Sequence, residues 1–240
     1  MIDWLRRERL DPHIALGGRE VPIVIRRHPR ARRMILRLAP DGSEVRLTLP
    51  QWGRTADAIG FAETRREWLE EQLARLPVAA PPVAGGTLPY RGCEVAIRWE
   101  ADAPRRARLA DDSIRIGGPE ENLVPRLQRW LEGEALRLMG LDLADYCAAA
   151  GQDLPALRLS RAKQRWGSCS GKGVVRINWR LIQAPDPIRR SVVAHEVAHL
   201  VHFDHSPEFH ALLGTIYEAD IREANLWLKQ HGRGLYTRFG

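Results

Sequence analysis

Val193-Ala-His195-Glu196-Val-Ala-His199-Leu-Val-His202-Phe-Asp-His205 is the stretch on which both fold and chemistry turn. Asp186-Pro187 just upstream signals a helix start, with Asp as N-cap and Pro at the first helical position. On such a helix His195 and His199, four residues apart, project from one face, so two imidazole nitrogens can bind one Zn²⁺. Glu196 adjoins them and can poise a carboxylate beside the metal and its water without ligating the metal. The spacing is HExxH, the pattern of metal-assisted hydrolysis with the Glu as general base. Five of the eight histidines fall between His195 and His210, which argues against scattered surface histidines that fit the pattern by accident.

A catalytic zinc needs a third protein ligand and one open position. His205, six residues past His199, leads, provided the chain leaves the helix at about His202 to Asp204 and folds back. The Ser206-Pro207 start of a following helix supports such a break. The rival ligand is a carboxylate further on, Glu218 or Glu223, on a helix whose glutamates otherwise read as a solvated face. His202 and His210 read as neighbours of the site or surface residues. The metzincin pattern is excluded, because His202 stands where its turn-forming Gly belongs and Met139 is the last methionine.

Working outward, the first third of the chain reads as strands. Val21–Ile25 and Met34–Leu38 are β-rich, Val45–Leu49 alternates, and Asp41-Gly42 signals a hairpin between the last two. A helix is expected from Thr55 to Leu76, followed by a Pro-, Ala- and Gly-rich linker from Pro77 to Gly86. Short strands at Glu94–Trp99 and Ser113–Ile116 precede a helix from about Glu121 to Ala150. Leu157–Leu159 and Val174–Trp179 read as strands, and Arg165-Trp-Gly-Ser-Cys-Ser170 as a turn packed by Trp166 with Cys169 buried and inert. The pattern is α+β. Residues 1–80 form a small β-rich region with one helix, and residues 87–240 form the domain that carries the histidines.

The segments Arg165-Trp-Gly-Ser-Cys-Ser170, Val175-Arg-Ile-Asn-Trp-Arg-Leu-Ile182, His195-Glu-Val-Ala-His199 and His205-Ser-Pro-Glu-Phe209 together resemble the YgjP-like metallopeptidase family. That family is related to the SprT-like and WLM-type zinc proteases. The N-terminal strands, with their Arg-rich connection, resemble its amino-terminal region. The resemblance implies a zincin-like domain, zinc held by His195, His199 and His205, and Glu196 as catalytic base. It also places the Arg165–Ser170 segment near the site, where Arg165 or Asn178 would steady substrate.

Composition bounds the partners. The chain has 240 residues, and 37 Lys+Arg against 30 Asp+Glu give a formal charge of +7, carried almost wholly by arginine. Arginine forks suit phosphate, so contact with DNA through an Arg-rich surface is an expectation, with Arg26, Arg27, Arg30, Arg32 and Arg33 as one cluster. No apolar run approaches the roughly 18 residues of a membrane span. The charged N-terminus lacks a secretory h-region, and Cys93, Cys147 and Cys169 do not form a disulfide framework, so the cytoplasm is the expected location. Three function classes follow: a peptidase acting on proteins or peptides, a DNA-associated protease acting on protein–DNA adducts, and a zinc hydrolase of non-peptide amides.

Overall fold

Alternation in Val45-Arg-Leu-Thr-Leu49 sends Val45, Leu47 and Leu49 to one face, and all three are fully buried. The computed structural model describes residues 12–76, 78, 80–171 and 173–239, and the chain divides into two units, Met1–Pro77 and Val78–Gly240. The reading of the N-terminal leader and two positions of the expected linker, Pro77 and Ala79, lie outside the described residues.

The first unit holds β1 (His13–Leu16), β2 (Arg19–Arg27), β3 (Ile35–Leu38) and β4 (Val45–Leu49) in the order β1-β2-β4-β3. β3 and β4 are antiparallel across the expected Asp41-Gly42 turn. Gly42 has φ +68°, the left-handed backbone that glycine adopts without strain. The expected single helix from Thr55 is two, α1 (Thr55–Thr64) and α2 (Arg66–Ala74). The Thr64 hydroxyl donates to the Phe61 carbonyl at 2.9 Å, and the Arg65 N–H turns to Ala62 O instead. A side chain competing for a helix acceptor breaks the ladder there. Ala58, Ala62 and Leu69 from these helices close the core over Leu16, Val45 and Leu47.

The second unit begins with β5 (Thr87–Tyr90), β6 (Cys93–Glu100), β7 (Arg108–Ala110) and β8 (Ser113–Gly117), ordered β5-β6-β8-β7. Its long helix, α3 (Leu123–Ala149), buries Leu127, Leu131, Ala135, Met139, Leu143 and Tyr146, one stripe at helical spacing. Then come β9 (Leu157–Ser160), β10 (Gly167–Cys169) and β11 (Val175–Asn178), ordered β10-β11-β9. The segment expected to be a turn therefore contributes a three-residue edge strand, paired antiparallel to β11.

Three helices finish the unit: α4 (Asp186–Val201), α5 (Pro207–Ile216) and α6 (Ile221–His231). α4 starts at Asp186 with Pro185 in the cap position, so Asp186 is its first residue and its carboxylate pairs with Arg91 and Arg189 rather than capping the helix. α6 has its own N-cap, Asp220, which accepts from the Arg222 N–H at 2.8 Å. The core joins α3 to α4 through Leu131, Trp179, Val193, Val197 and Phe209. The architecture is mixed α+β. Among the described residues no helix is long and apolar enough to cross a membrane.

Candidate metal centre

His195 and His199 lie one turn apart on α4, their ring centroids 4.8 Å apart and edge to face. The helix ends one residue before His202, which takes extended angles (φ −124°, ψ 110°). Ser206 then caps α5 by accepting from the Phe209 N–H at 3.4 Å, and Pro207 sets the first turn. The short loop between the two helices brings His205 back until its Nε2 is 3.3 Å from His195 Nε2. One ring nitrogen from each of His195, His199 and His205 lies within 4.8 Å of the others. Phe209 is fully buried beneath them, its ring centroid 5.0, 4.6 and 4.9 Å from the three imidazoles. The sequence pattern identifies Phe209 only as a core residue; its role as the floor of the histidine cluster depends on the turn at His202–His205.

The chemistry of this donor set fits a divalent ion. Burial, then the neighbouring histidines, push His195 down to about 4, which keeps a lone pair on its ring near neutral pH. His199 Nδ1 lies 3.0 Å from the His202 carbonyl, which can only accept, so Nδ1 carries the proton and Nε2 the lone pair. Two ligands at ~2.0–2.1 Å from a tetrahedral zinc stand about 3.3 Å apart. That matches the His195–His205 nitrogen spacing of 3.3 Å.

Glu196 points elsewhere on the same helix and is 5% exposed. Burial pushes its carboxyl up to about 7, against the opposing effects of the Arg165 charge and a hydrogen bond from the Cys169 backbone N–H. Its Oε2 has no hydrogen-bond partner among the described residues. β10 crosses directly over it: a Cβ on Gly167 would stand 2.7 Å from Glu196 Cγ and 2.8 Å from Cδ. Sequence reasoning missed this contact. Its only signal was a glycine inside a short strand, a mark of close backbone approach.

The remaining candidates separate. Arg165 is exposed and close enough for its charge to act on Glu196. Asn178 is fully buried, its amide donating to Ala162 O at 2.8 Å and Tyr236 Oη at 3.2 Å, while its oxygen accepts from the Arg180 N–H. It braces the chain behind β10. Glu218 receives the Tyr146 hydroxyl at 2.6 Å and the Arg190 guanidinium, and neither it nor Glu223 joins the histidine cluster. Burial and the Glu196 charge push the Cys169 thiol up, so it stays protonated and unreactive.

Comparison with known proteins gives the family. No curated protein matches the chain. A solved structure, the metallopeptidase zymogen abylysin of Pyrococcus abyssi, aligns over 38% of this chain and 93% of its own, at 18% identity and a TM-score of 0.35. The YgjP-like metallopeptidase domain matches residues 32–231, which takes in β3 to β11, α1 to α6 and the whole histidine cluster. The chain therefore belongs to the YgjP-like metallopeptidase family.

Proposed function

We propose that the protein is a zincin-like zinc peptidase that cleaves protein or peptide substrates in the cytoplasm, with Glu196 as its general base. The observation that carries this reading is a buried carboxylate with an unengaged oxygen on the same helix as two of three converging imidazoles. His195, His199 and His205 would hold the ion. A zinc ion held there would supply Lewis acidity toward a scissile carbonyl and lower the pKa of its water. Glu196 accepts the proton of the attacking water on its carboxylate and holds it in a site walled from solvent. It then returns that proton to the leaving amine. A group with a protonation midpoint near the working pH suits both transfers. Because β10 is an edge strand of its sheet, it offers a peptide backbone a strand to pair with, and Arg165 would steady a substrate carbonyl or carboxylate.

The test uses an unfolded protein as substrate and zinc-loaded enzyme. Cleavage should disappear on chelation and return when zinc is restored. Turnover of small amides with unfolded proteins left intact would instead assign a non-peptide hydrolase, and cleavage that survives chelation would remove the metal from the reaction.

The Gly167 contact yields a sharper expectation. Gly167→Ala places a methyl group where the Glu196 side chain now lies, so the carboxylate must shift by the order of an ångström. Misplacement on that scale costs about 10²-fold in rate. Peptide turnover should fall by about that factor while metal content by elemental analysis stays at the wild-type ratio. Unchanged turnover would mean that β10 does not fix the position of Glu196.

A further inference from the structure

The second unit carries arginines on β6–β8 and on α3 that hydrolysis does not use. Strand register sets Arg98 of β6 opposite Arg115 of β8, and Arg108 of β7 opposite the same Arg115. Three guanidinium groups thus form a row across three strands. Like charges directly opposite one another destabilise a sheet. Of the three, only Arg115 has a carboxylate partner among the described residues, Asp111, and its Nε is buried without an acceptor. A cavity of about 210 Å³ lies along the row, bordered also by Glu100 and by Arg106 from the β6–β7 connection.

Arg106 borders a second cleft as well, of about 740 Å³. Into it face Arg105 from the same connection and Arg126, Arg129 and Arg137 from α3, whose spacing places them along one side of the helix. Arg126 donates to the carbonyls of Gly117 at 2.7 Å and Pro119 at 3.3 Å, acceptors that fix its position without cancelling its charge. Arg126 Nη1 and Arg105 Cγ lie 2.7 and 2.9 Å from the Cβ position of Gly118, so these two cationic chains adjoin. Glu134, the one carboxylate among the described residues lining the cleft, is already held by Tyr90 at 2.8 Å and Arg137 at 2.7 Å. Among the described residues Arg105, Arg106 and Arg129 have no ion-pair partner. Trp130, half-buried and packed on the Tyr90 ring with centroids 5.1 Å apart, is the one aromatic among the described residues lining the cleft, and Gly133 keeps the floor low, since a Cβ there meets nothing within 4 Å.

We propose that the larger cleft is a track for the phosphate backbone of single-stranded nucleic acid, with Trp130 as a stacking face for a base. Guanidinium forks match phosphate oxygens bidentately, and a basic groove with an interleaved aromatic is the arrangement that holds a single strand without reading its sequence. The proposal stands on this cleft alone and does not depend on the hydrolytic reading.

The experiment measures binding of a fluorescent 20-nucleotide oligothymidine to the full chain by anisotropy, across a salt series. Affinity should fall steeply with salt, with a slope in log–log form of about 0.7 per phosphate contact. Arg106→Glu/Arg129→Glu should weaken binding at least about 10-fold and reduce that slope by about 1.4. Trp130→Leu should cost about 5-fold or more through lost stacking. Gly133→Leu alters no charge but fills the floor, and should weaken binding comparably. A single cooperative unfolding transition and wild-type metal content certify each variant as folded, with Trp130→Leu allowed a lower unfolding temperature because the ring also packs on Tyr90. No binding at low salt would overturn the proposal, as would binding indifferent to Arg106, Arg129 and Gly133. Inorganic polyphosphate or polyglutamate competing as well as oligothymidine, with Trp130→Leu silent, would reject nucleic acid as the ligand.

Discussion

Glu196→Gln is expected to keep its metal ion in full while peptide hydrolysis falls by about 10²–10⁴-fold, the range that a positioned general base supplies. Glutamine preserves the shape of the side chain under Gly167, so packing of β10 on α4 is retained; only the capacity to accept a proton is lost. The substitution has a second readout that a merely structural residue would not move. Burial raises the Glu196 carboxyl from its ordinary 4.5 to about 7 in the metal-free chain. Between those values the folded state binds more protons than the unfolded one, so stability falls as pH rises through that window. Glutamine removes this loss. At pH 8 the metal-free variant should therefore unfold at a higher temperature than the metal-free wild type, and at pH 4 the two should converge. Turnover equal to wild type would dismiss Glu196 as the base. Loss of the metal would show instead that it supports the histidines.

Which parts of the site could be read from sequence depends on how each is held in place. The His195–His199 pair was legible because helical periodicity alone fixes two side chains on one face. His205 was legible at one remove, since Ser206-Pro207 announces a new helix and so forces a turn close enough to fold back. What lies over Glu196 was not. Gly167 comes from a three-residue strand with no periodicity of its own, held in place by pairing with β11, and its approach to α4 spans 29 positions of sequence. Asn178 reads from its place beside the motif as a substrate contact, while its fold places its amide on Ala162 and Tyr236, contacts that no local pattern announces. In the same way one long apolar pattern after Thr55 hides the Thr64 hydroxyl bond that divides α1 from α2. Local spacing carries the three histidines; the groups that surround them arrive through tertiary contacts.

The strongest of those tertiary contacts predicts the largest effect on stability. Asp142 of α3 and Arg189 of α4 are 4% and 3% exposed and face each other, Arg189 Nε donating to Oδ2 at 2.7 Å and Nη2 to Oδ1 at 3.3 Å. Arg190 adds a third bond to Oδ1 at 3.0 Å. Removing one partner of a buried pair leaves the other charge desolvated and costs about 3–5 kcal/mol. Asp142→Ala should fall near the lower end of that range, because Asp186 still holds Arg189 from the first turn of α4. Asp142→Asn, which keeps an oxygen acceptor, should lose less. Replacing both partners with apolar residues of similar volume, Asp142→Leu with Arg189→Met, should recover much of the deficit, since no buried charge is then left alone. Urea unfolding of the metal-free proteins measures all three. A deficit under about 1 kcal/mol for Asp142→Ala, below the range for a broken buried pair, would mean that water reaches the pair. The consequence for the site follows from where Arg189 stands: the helix it anchors carries His195, Glu196 and His199 in its last two turns. A chain that loosens α4 from α3 should therefore lose zinc at a chelator concentration that leaves the wild type loaded.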